Sequence, residues 1–192
     1  GYGVATSGSY WIAVGIGGSA AANQKFSGDG FTWSNTNGGG GFSNISGGRG
    51  VAYNGSNMWV AVGYGSTVAY SILYSTSGGQ IWNNAITGGF SGGGASVTWN
   101  GSLWVATGSH SSAAGNIQIS LDGMNWVPSL SGAFSGSGSG VVWSGTKFIA
   151  TGTGTSPILY SDDGRNWSSC NVSGASFTNG GGIGYGRTLT GP

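Results

Sequence analysis

The chain has 192 residues, of which 44 are glycine and 5% are charged, and its formal net charge at pH 7 is +1. So small a charge creates no field that would attract a polyanion, which argues against nucleic acid as a partner. No apolar run approaches the roughly 20 residues that span a bilayer, so membrane insertion is not expected. The lone cysteine, Cys170, excludes an internal disulfide framework.

One pattern is written four times along the chain. It consists of an apolar strand, a short turn, [WF]-[IV]-A-[VT]-G, a variable stretch and [YFI]-S-x-D-G-x-x-W, and the second copy departs from this ending. Its closing glycines are Gly15, Gly63, Gly108 and Gly152, so successive copies are 48, 45 and 44 residues apart. A period near 45 with four short strands per copy predicts an all-β propeller of four-stranded antiparallel blades. Residues 1–192 are expected to form a single propeller domain or a segment of a larger propeller.

The second repeat shows the predicted order of elements within a blade. Residues 50–53 form an innermost strand, and Asn54 and Gly55 form a type I′ hairpin turn. Residues 58–63 form the second strand, 70–75 the third and 80–86 the fourth. No segment has helical periodicity. The repeats cover approximately 3–37, 50–87, 96–131 and 140–173, and an extra inner strand follows at 182–189.

The S-x-D-G-x-x-W element resembles the Asp-box, or BNR repeat, of sialidase-type propellers. In the second copy Ser77 stands where the aspartate is expected. An aspartate that opens a tight turn accepts backbone N–H groups, and the glycine after it supplies a positive φ. We therefore expect Asp29, Asp122 and Asp163 to form turns. The tryptophans that end the element are expected to pack between blades: Trp33, Trp82, Trp126 and Trp167.

The full repeat also resembles tandem repeats found in proteins of large DNA viruses of algae and protists. The residues that carry this resemblance are the V-A-W-N-G-S-x-W-V-A-V-G core and the Y-S-x-D-G-x-x-W ending, and they cover almost the whole chain. The resemblance implies display on a virion or an extracellular surface rather than a particular activity.

Catalytic groups are scarce. The chain has no glutamate, and its arginines are Arg49, Arg165 and Arg187, whereas sialidases carry an arginine triad and a Tyr–Glu pair. A Ser-His-Asp triad would require His110, the only histidine, which lies in a polar loop. One histidine and one cysteine cannot complete a zinc site. The chain is therefore expected to be non-enzymatic with no cofactor and no metal, and a degenerate sialidase-like hydrolase is the remote alternative.

One rim of the propeller is expected to carry the variable loops. These are the loops between second and third strands, at 16–23, 64–70, 109–116 and 153–157. Candidate ligand-binding residues on this rim are Tyr64, Tyr70, His110 and Asn116, together with one phenylalanine per blade connection: Phe42, Phe90, Phe134 and Phe177. These aromatic rings either stack on sugars or plug the gaps between blades. Expected partners are other proteins of an assembly, including further copies of the chain, or neutral glycans bound as by a propeller lectin.

Overall fold

The structure, a computed structural model, describes residues 1–39, 41–42, 47–171 and 178–184. Its strands are β1 (Gly3–Thr6), β2 (Trp11–Val14), β3 (Gln24–Ser27), β4 (Ser34–Asn35), β5 (Asn37–Gly39), β6 (Gly48–Tyr53), β7 (Trp59–Gly63), β8 (Ile72–Ser75), β9 (Ile81–Asn84), β10 (Gly94–Trp99), β11 (Trp104–Gly108), β12 (Ile117–Ser120), β13 (Val127–Pro128), β14 (Gly138–Trp143), β15 (Phe148–Gly152), β16 (Ile158–Ser161) and β17 (Ser168–Ser169).

These strands form four antiparallel meanders, which we number as blades in chain order. Blade 1 is β1–β4, blade 2 is β6–β9, blade 3 is β10–β13 and blade 4 is β14–β17. The inner strands of consecutive blades pack side by side, β1 on β6, β6 on β10 and β10 on β14. The predicted all-β propeller fold with four four-stranded blades is confirmed.

Two local predictions were wrong. Asn54 does not have a positive φ, so Asn54 and Gly55 do not form a type I′ turn. Instead the Asn54 side-chain oxygen accepts the backbone N–H groups of Ser56, Asn57 and Met58, which stabilises a longer loop. Short 3-10 helices, which the sequence did not indicate, lead into the third strands of blades 1 to 3, at Ala20–Asn23, Val68–Ser71 and Ala113–Asn116.

The hydrophobic core lies between blades rather than within them. Between blades 2 and 3, for example, Val60 and Val62 of blade 2 pack with Trp104 and Trp126 of blade 3. Equivalent clusters join blade 1 to blade 2 and blade 3 to blade 4. Each cluster therefore uses one face of a blade and the opposite face of the next.

The tryptophan of the Asp-containing turn enters these clusters in three blades. Trp82, Trp126 and Trp167 are at most 5% exposed. Trp33 differs from its predicted role because 37% of its surface is exposed. Its side of blade 1 faces away from blade 2, and Trp11 on the second strand is likewise 38% exposed.

The chain leaves each of the first three blades along the outer edge of the next. Strand β5 follows blade 1 in sequence but pairs in parallel with β9 of blade 2. Parallel bridges join Thr87 to Asn125 and Ser131 to Asn166 in the same way. These contacts give the outermost strands of blades 2 to 4 partners on their far side.

A further segment, 178–184, lies beside β14. The Gly180 N–H donates to Gly152 O at 2.8 Å, and the Thr151 hydroxyl donates to Gly181 O at 2.7 Å. Gly138, the first residue of β14, lies against Thr107 of blade 3, and Gly180 lies against Thr151 of blade 4 in the same way. Gly180 therefore has the position beside blade 4 that the first residue of an inner strand has beside blade 3. The predicted extra inner strand at 182–189 is described only for residues 182–184, which occupy this position without strand pairing, and 185–189 lie outside the described residues.

Candidate functional site

Each of the inner strands β6, β10 and β14 contains a β-bulge near its start. The register with the second strand shifts between Gly48 and Gly50 in blade 2, so that Arg49 is the extra residue. The same shift leaves Ala95 and Ser139 as the extra residues of blades 3 and 4. The inner strands begin at 48, 94 and 138, two residues before the predicted 50, 96 and 140, and therefore include the bulge. A bulge redirects the side chain that it carries.

These bulge positions converge on one cavity of about 570 Å³, which we call the bulge cleft. Tyr2 and Gly181 occupy the corresponding positions before β1 and in the segment beside β14. The lining residues are Tyr2, Arg49, Tyr64, Gly92, Gly93, Gly94, Ala95, Ser109, Ser137, Gly138, Ser139, Gly181 and Gly182. The cleft opens on the rim that carries the loops between second and third strands, as Tyr64 and Ser109 show.

Arg49 is held between two aromatic rings. Its guanidinium carbon lies 4.2 Å from the centre of the Tyr2 ring and 5.2 Å from that of Tyr64. Such cation–π contacts orient the guanidinium group without neutralising it. The Arg49 Nε atom is buried and has no hydrogen-bond partner.

The position of Tyr64 depends on a glycine beneath its ring. Gly93 has a φ of +101°, and a Cβ atom built there would lie 2.7 Å from the Cδ1 atom of Tyr64. Any larger residue would therefore strain the backbone and displace the ring. One wall of the cleft is thus aromatic and cationic, whereas the opposite wall presents the small residues Ala95, Ser139 and Gly181.

The aspartates lie at the other ends of the strands, in the turns between third and fourth strands. The Asp122 carboxylate accepts the backbone N–H groups of Met124 and Asn125, each at 2.8 Å. Burial raises the pKa of Asp122, but the hydrogen bonds from the Asn125 backbone and side chain and from Met124 outweigh it and lower the pKa to about 2. Asp29 and Asp163 make the same backbone contacts and also have a pKa of about 2. In blade 2 the Ser77 hydroxyl substitutes by accepting the Ile81 N–H at 2.8 Å.

The predicted rim residues separate into exposed and buried sets. Tyr64 is 38% exposed and lines the bulge cleft. Tyr70, 37% exposed, and His110, half-buried, lie in the rim loops but do not line it. The His110 ring stays within its own loop, where its Nδ1 atom is 3.1 Å from the Ser112 backbone nitrogen.

Asn116 and the phenylalanines need correction as ligand-binding candidates. Asn116 is 1% exposed and donates from Nδ2 to the backbone oxygen of Phe134 at 3.1 Å. Phe42, Phe90 and Phe134 are at most 1% exposed and belong to the clusters between blades. Buried rings cannot stack on a sugar, so these residues hold the blades together. Phe177 lies outside the described residues.

Tyr2 and Arg49 line the cleft but were not among the residues predicted for the site. A signal was nevertheless present, because the repeats share G-x-[GS] at the start of the inner strand: Gly1-Tyr2-Gly3, Gly48-Arg49-Gly50, Gly94-Ala95-Ser96, Gly138-Ser139-Gly140 and Gly180-Gly181-Gly182. The middle residue differs in every copy, whereas the first is always glycine and the third is glycine or serine. The position that varies between repeats is the one that lines the bulge cleft.

A smaller cavity of about 220 Å³ lies at the opposite rim, between the turns of blades 3 and 4. Asp122, Asn125 and Arg165 line it together with the exposed side chains of Leu121 and Val127. The Asp122 carboxylate already accepts the N–H groups of its own turn. The volume of this cavity is also less than half that of the bulge cleft. The bulge cleft is therefore the better candidate for a ligand site.

The described part of the chain contains neither a cluster of metal ligands nor a membrane-spanning helix. Within residues 1–39, 41–42, 47–171 and 178–184, no group of three His, Cys, Asp or Glu side chains is placed to hold a metal ion. Over the same residues no helix has the length and apolar character to cross a bilayer.

Comparisons with known proteins bear on the fold. No protein-family model and no curated protein sequence matches the chain. Among solved structures, a GH74 enzyme of Niastella koreensis is similar over 87% of this chain and 24% of that protein, at 18% identity and a TM-score of 0.55. YCF48 bound to D1 peptide is similar over 85% of this chain and 51% of that protein, at 18% identity and a TM-score of 0.56. Both are β-propellers, and this chain spans about a quarter and about half of their lengths.

Proposed function

We propose that this chain is a non-enzymatic interaction module that holds a segment of a partner protein in the bulge cleft. The observation that carries the proposal is the convergence of the variable bulge positions on one cavity, with Arg49 clamped between Tyr2 and Tyr64. Cavities that bind ligands have volumes of about 300–1,000 Å³ and few, well-placed polar groups, and the bulge cleft at about 570 Å³ has this character.

The placement of the acidic residues supports a binding role over hydrolysis. Glycoside hydrolysis generally requires a pair of carboxyl groups that flank the scissile bond. Asp29, Asp122 and Asp163 are held in turns at the rim opposite the bulge cleft, and Asp162 pairs with Lys147 there. None of the described residues that line the cleft carries a carboxylate side chain.

The two similar propellers differ in function, since one is an enzyme and the other is bound to a peptide. Their similarity is compatible with this proposal and does not identify a ligand. A neutral glycan is the second candidate, because the exposed face of Tyr64 could stack on a sugar ring. The weakly charged, hydroxyl-rich surface and the viral resemblance of the repeats support display on a virion or extracellular surface, where protein and glycan partners both occur.

The test is a parallel screen of the purified chain against a displayed peptide library and a glycan array. We expect selected peptides to bind, and binding to be lost in Ser139→Phe, which would fill the open wall of the cleft. Tyr70→Ala is the matched control, since Tyr70 lies on the same rim outside the cleft. Hits confined to glycans would favour the lectin function, and peptide binding that Ser139→Phe leaves unchanged would remove the bulge cleft as the site.

A further inference from the structure

We infer that the bulge cleft recognises a carboxylate group of the partner segment and that Arg49 is the residue that binds it. This inference rests on the proposed function and adds the chemistry by which the partner is selected.

Within the described part of the chain, no acidic group pairs with Arg49. The acidic side chains, Asp29, Asp122, Asp162 and Asp163, all lie in turns at the far ends of the strands. Across the described residues the only ion pair joins Lys147 to Asp162. Arg49 is therefore a fixed positive charge that lines a cavity, with no described group of opposite sign beside it, and such a charge attracts an anionic ligand.

The geometry around Arg49 favours a planar acceptor. The Tyr2 and Tyr64 rings lie against the guanidinium group, so its orientation is fixed before any ligand arrives. A guanidinium group held in this way presents a fork of N–H donors that matches the two oxygens of a carboxylate. A lysine ammonium at the same position would be a point charge without this fork.

The number of charges distinguishes a carboxylate from a phosphate. Phosphorylated and nucleic-acid ligands are recognised by clusters of arginine or lysine residues. Among the described residues that line the bulge cleft, Arg49 is the only basic one. One cation balances one carboxylate, whereas a phosphate group carries more charge than the cleft can balance.

The opposite wall leaves space for the rest of the ligand. Ala95, Ser139 and Gly181 occupy the positions equivalent to Arg49 on blades 3 and 4 and beside blade 4, and none of them has a long side chain. A peptide whose carboxylate meets Arg49 would extend over these small residues. One bulge position thus supplies the charged contact to the ligand, and the others leave space for the rest of the peptide.

The experiment uses three N-acetylated tripeptides as probes: Gly-Gly-Gly with a free carboxyl terminus, its carboxamide, and Gly-Asp-Gly carboxamide. The chain is titrated with each probe while the Arg49 Nε–H resonance is followed by NMR. We expect the first or third probe to shift this resonance and the neutral carboxamide to leave it unchanged. A response to the first alone identifies a terminal carboxylate, and a response to the third identifies a side-chain carboxylate.

Variants connect this response to Arg49. Arg49→Met should weaken binding of the responsive acid about tenfold or more, and Arg49→Lys should restore it only in part. Arg165→Met, on the opposite rim, is the matched control and should bind normally. Equal binding of acid and carboxamide probes, absence of any response, or unchanged binding by Arg49→Met would overturn the inference.

The screen against peptides and glycans distinguishes a failure of this inference from a failure of the proposed function. Library peptides that are blocked by Ser139→Phe but tolerate Arg49→Met would leave the peptide-binding function standing and remove the carboxylate. Recognition of sugar acids, with no peptide bound, would overturn both.

Discussion

Asn116 of blade 3 holds Phe134 in place, in the connection that runs from blade 3 to blade 4. Its Nδ2 atom donates to the Phe134 carbonyl oxygen at 3.1 Å, and its Oδ1 atom accepts the His110 N–H at 2.8 Å. The Phe134 ring then fills the gap between blades 3 and 4. Asn23 makes the corresponding bond to Phe42 at 3.0 Å, and the Ser71 hydroxyl accepts the Phe90 N–H at 2.7 Å. Each connection between blades is thus fastened to the blade that it leaves.

Asn116→Ala should lower the free energy of unfolding by about 1–3 kcal/mol, because it leaves buried backbone groups without partners. The measurement is the urea unfolding midpoint followed by tryptophan fluorescence. Asn57→Ala, at an exposed loop position, is the control and should change stability by less than about 0.5 kcal/mol. A similar small change for Asn116→Ala would mean that the contact contributes little to the joint between blades.

Tryptophans at the same repeat position should differ in their contribution to stability. Trp126 is 2% exposed and packs between blades 2 and 3, so Trp126→Ala should cost about 3–5 kcal/mol. Trp33 is 37% exposed, and Trp33→Ala should cost less than half as much. Chemical denaturation of both variants under identical conditions tests the difference. Equal losses would show that the outward face of blade 1 is covered in solution.

Stability should fall as the solution is acidified below about pH 4. Asp29, Asp122 and Asp163 each have a folded-state pKa of about 2 against an ordinary value of 3.8. A lowered folded-state pKa stabilises the fold above pH 3.8, and this contribution is lost as the pH falls through 2. Urea midpoints between pH 5 and pH 2 should therefore decrease.

The triple variant Asp29→Asn, Asp122→Asn, Asp163→Asn is the control for this pH dependence. Asparagine retains an oxygen that can accept the turn N–H groups but does not titrate. The variant should be less sensitive to acid over the same interval. A wild-type midpoint that does not change between pH 4 and pH 2 would contradict the lowered pKa values.

Gly93→Ala should impair the bulge cleft without disrupting the blades. The added Cβ meets the Tyr64 ring and requires an unfavourable positive φ, so we expect weaker binding of any peptide selected by the wild-type chain. Gly101→Ala is the control, because Gly101 also has a positive φ but its added Cβ would meet no atom within 4 Å. Comparable peptide affinity in the two variants would show that the position of Tyr64 does not matter for binding.

The propeller could be predicted from the sequence because its signal is repeated. An aromatic residue four positions before a glycine recurs in the second strand of each repeat, as Trp11, Trp59, Trp104 and Phe148. It specifies the strand spacing four times, so an error in one copy is corrected by the others. Local turns had no such support. Asn54-Gly55 has the composition of a type I′ turn, yet the side chain of Asn54 bonds three successive N–H groups and selects a longer loop.

The candidate site was harder to predict because burial and register are properties of the assembled sheet. Asn116 and Phe134 are polar-loop and aromatic residues by sequence, and only the packing of two blades shows that both are buried. Arg49 occupies the variable position of the repeated G-x-[GS] motif, but the sequence does not show which way this position faces. The register shift of one residue places the same position of successive repeats at a shared cavity.

The location of the cores between blades has a consequence for how the chain unfolds. A single repeat contributes only part of each hydrophobic cluster, and the neighbouring repeat contributes the rest. An isolated blade would therefore expose its tryptophans and valines to water. The stability of such an array is approximately the sum of the intrinsic stabilities of its repeats and of the interfaces between neighbouring repeats. Loss of one interface destabilises the next blade as well. The blades are therefore expected to unfold cooperatively.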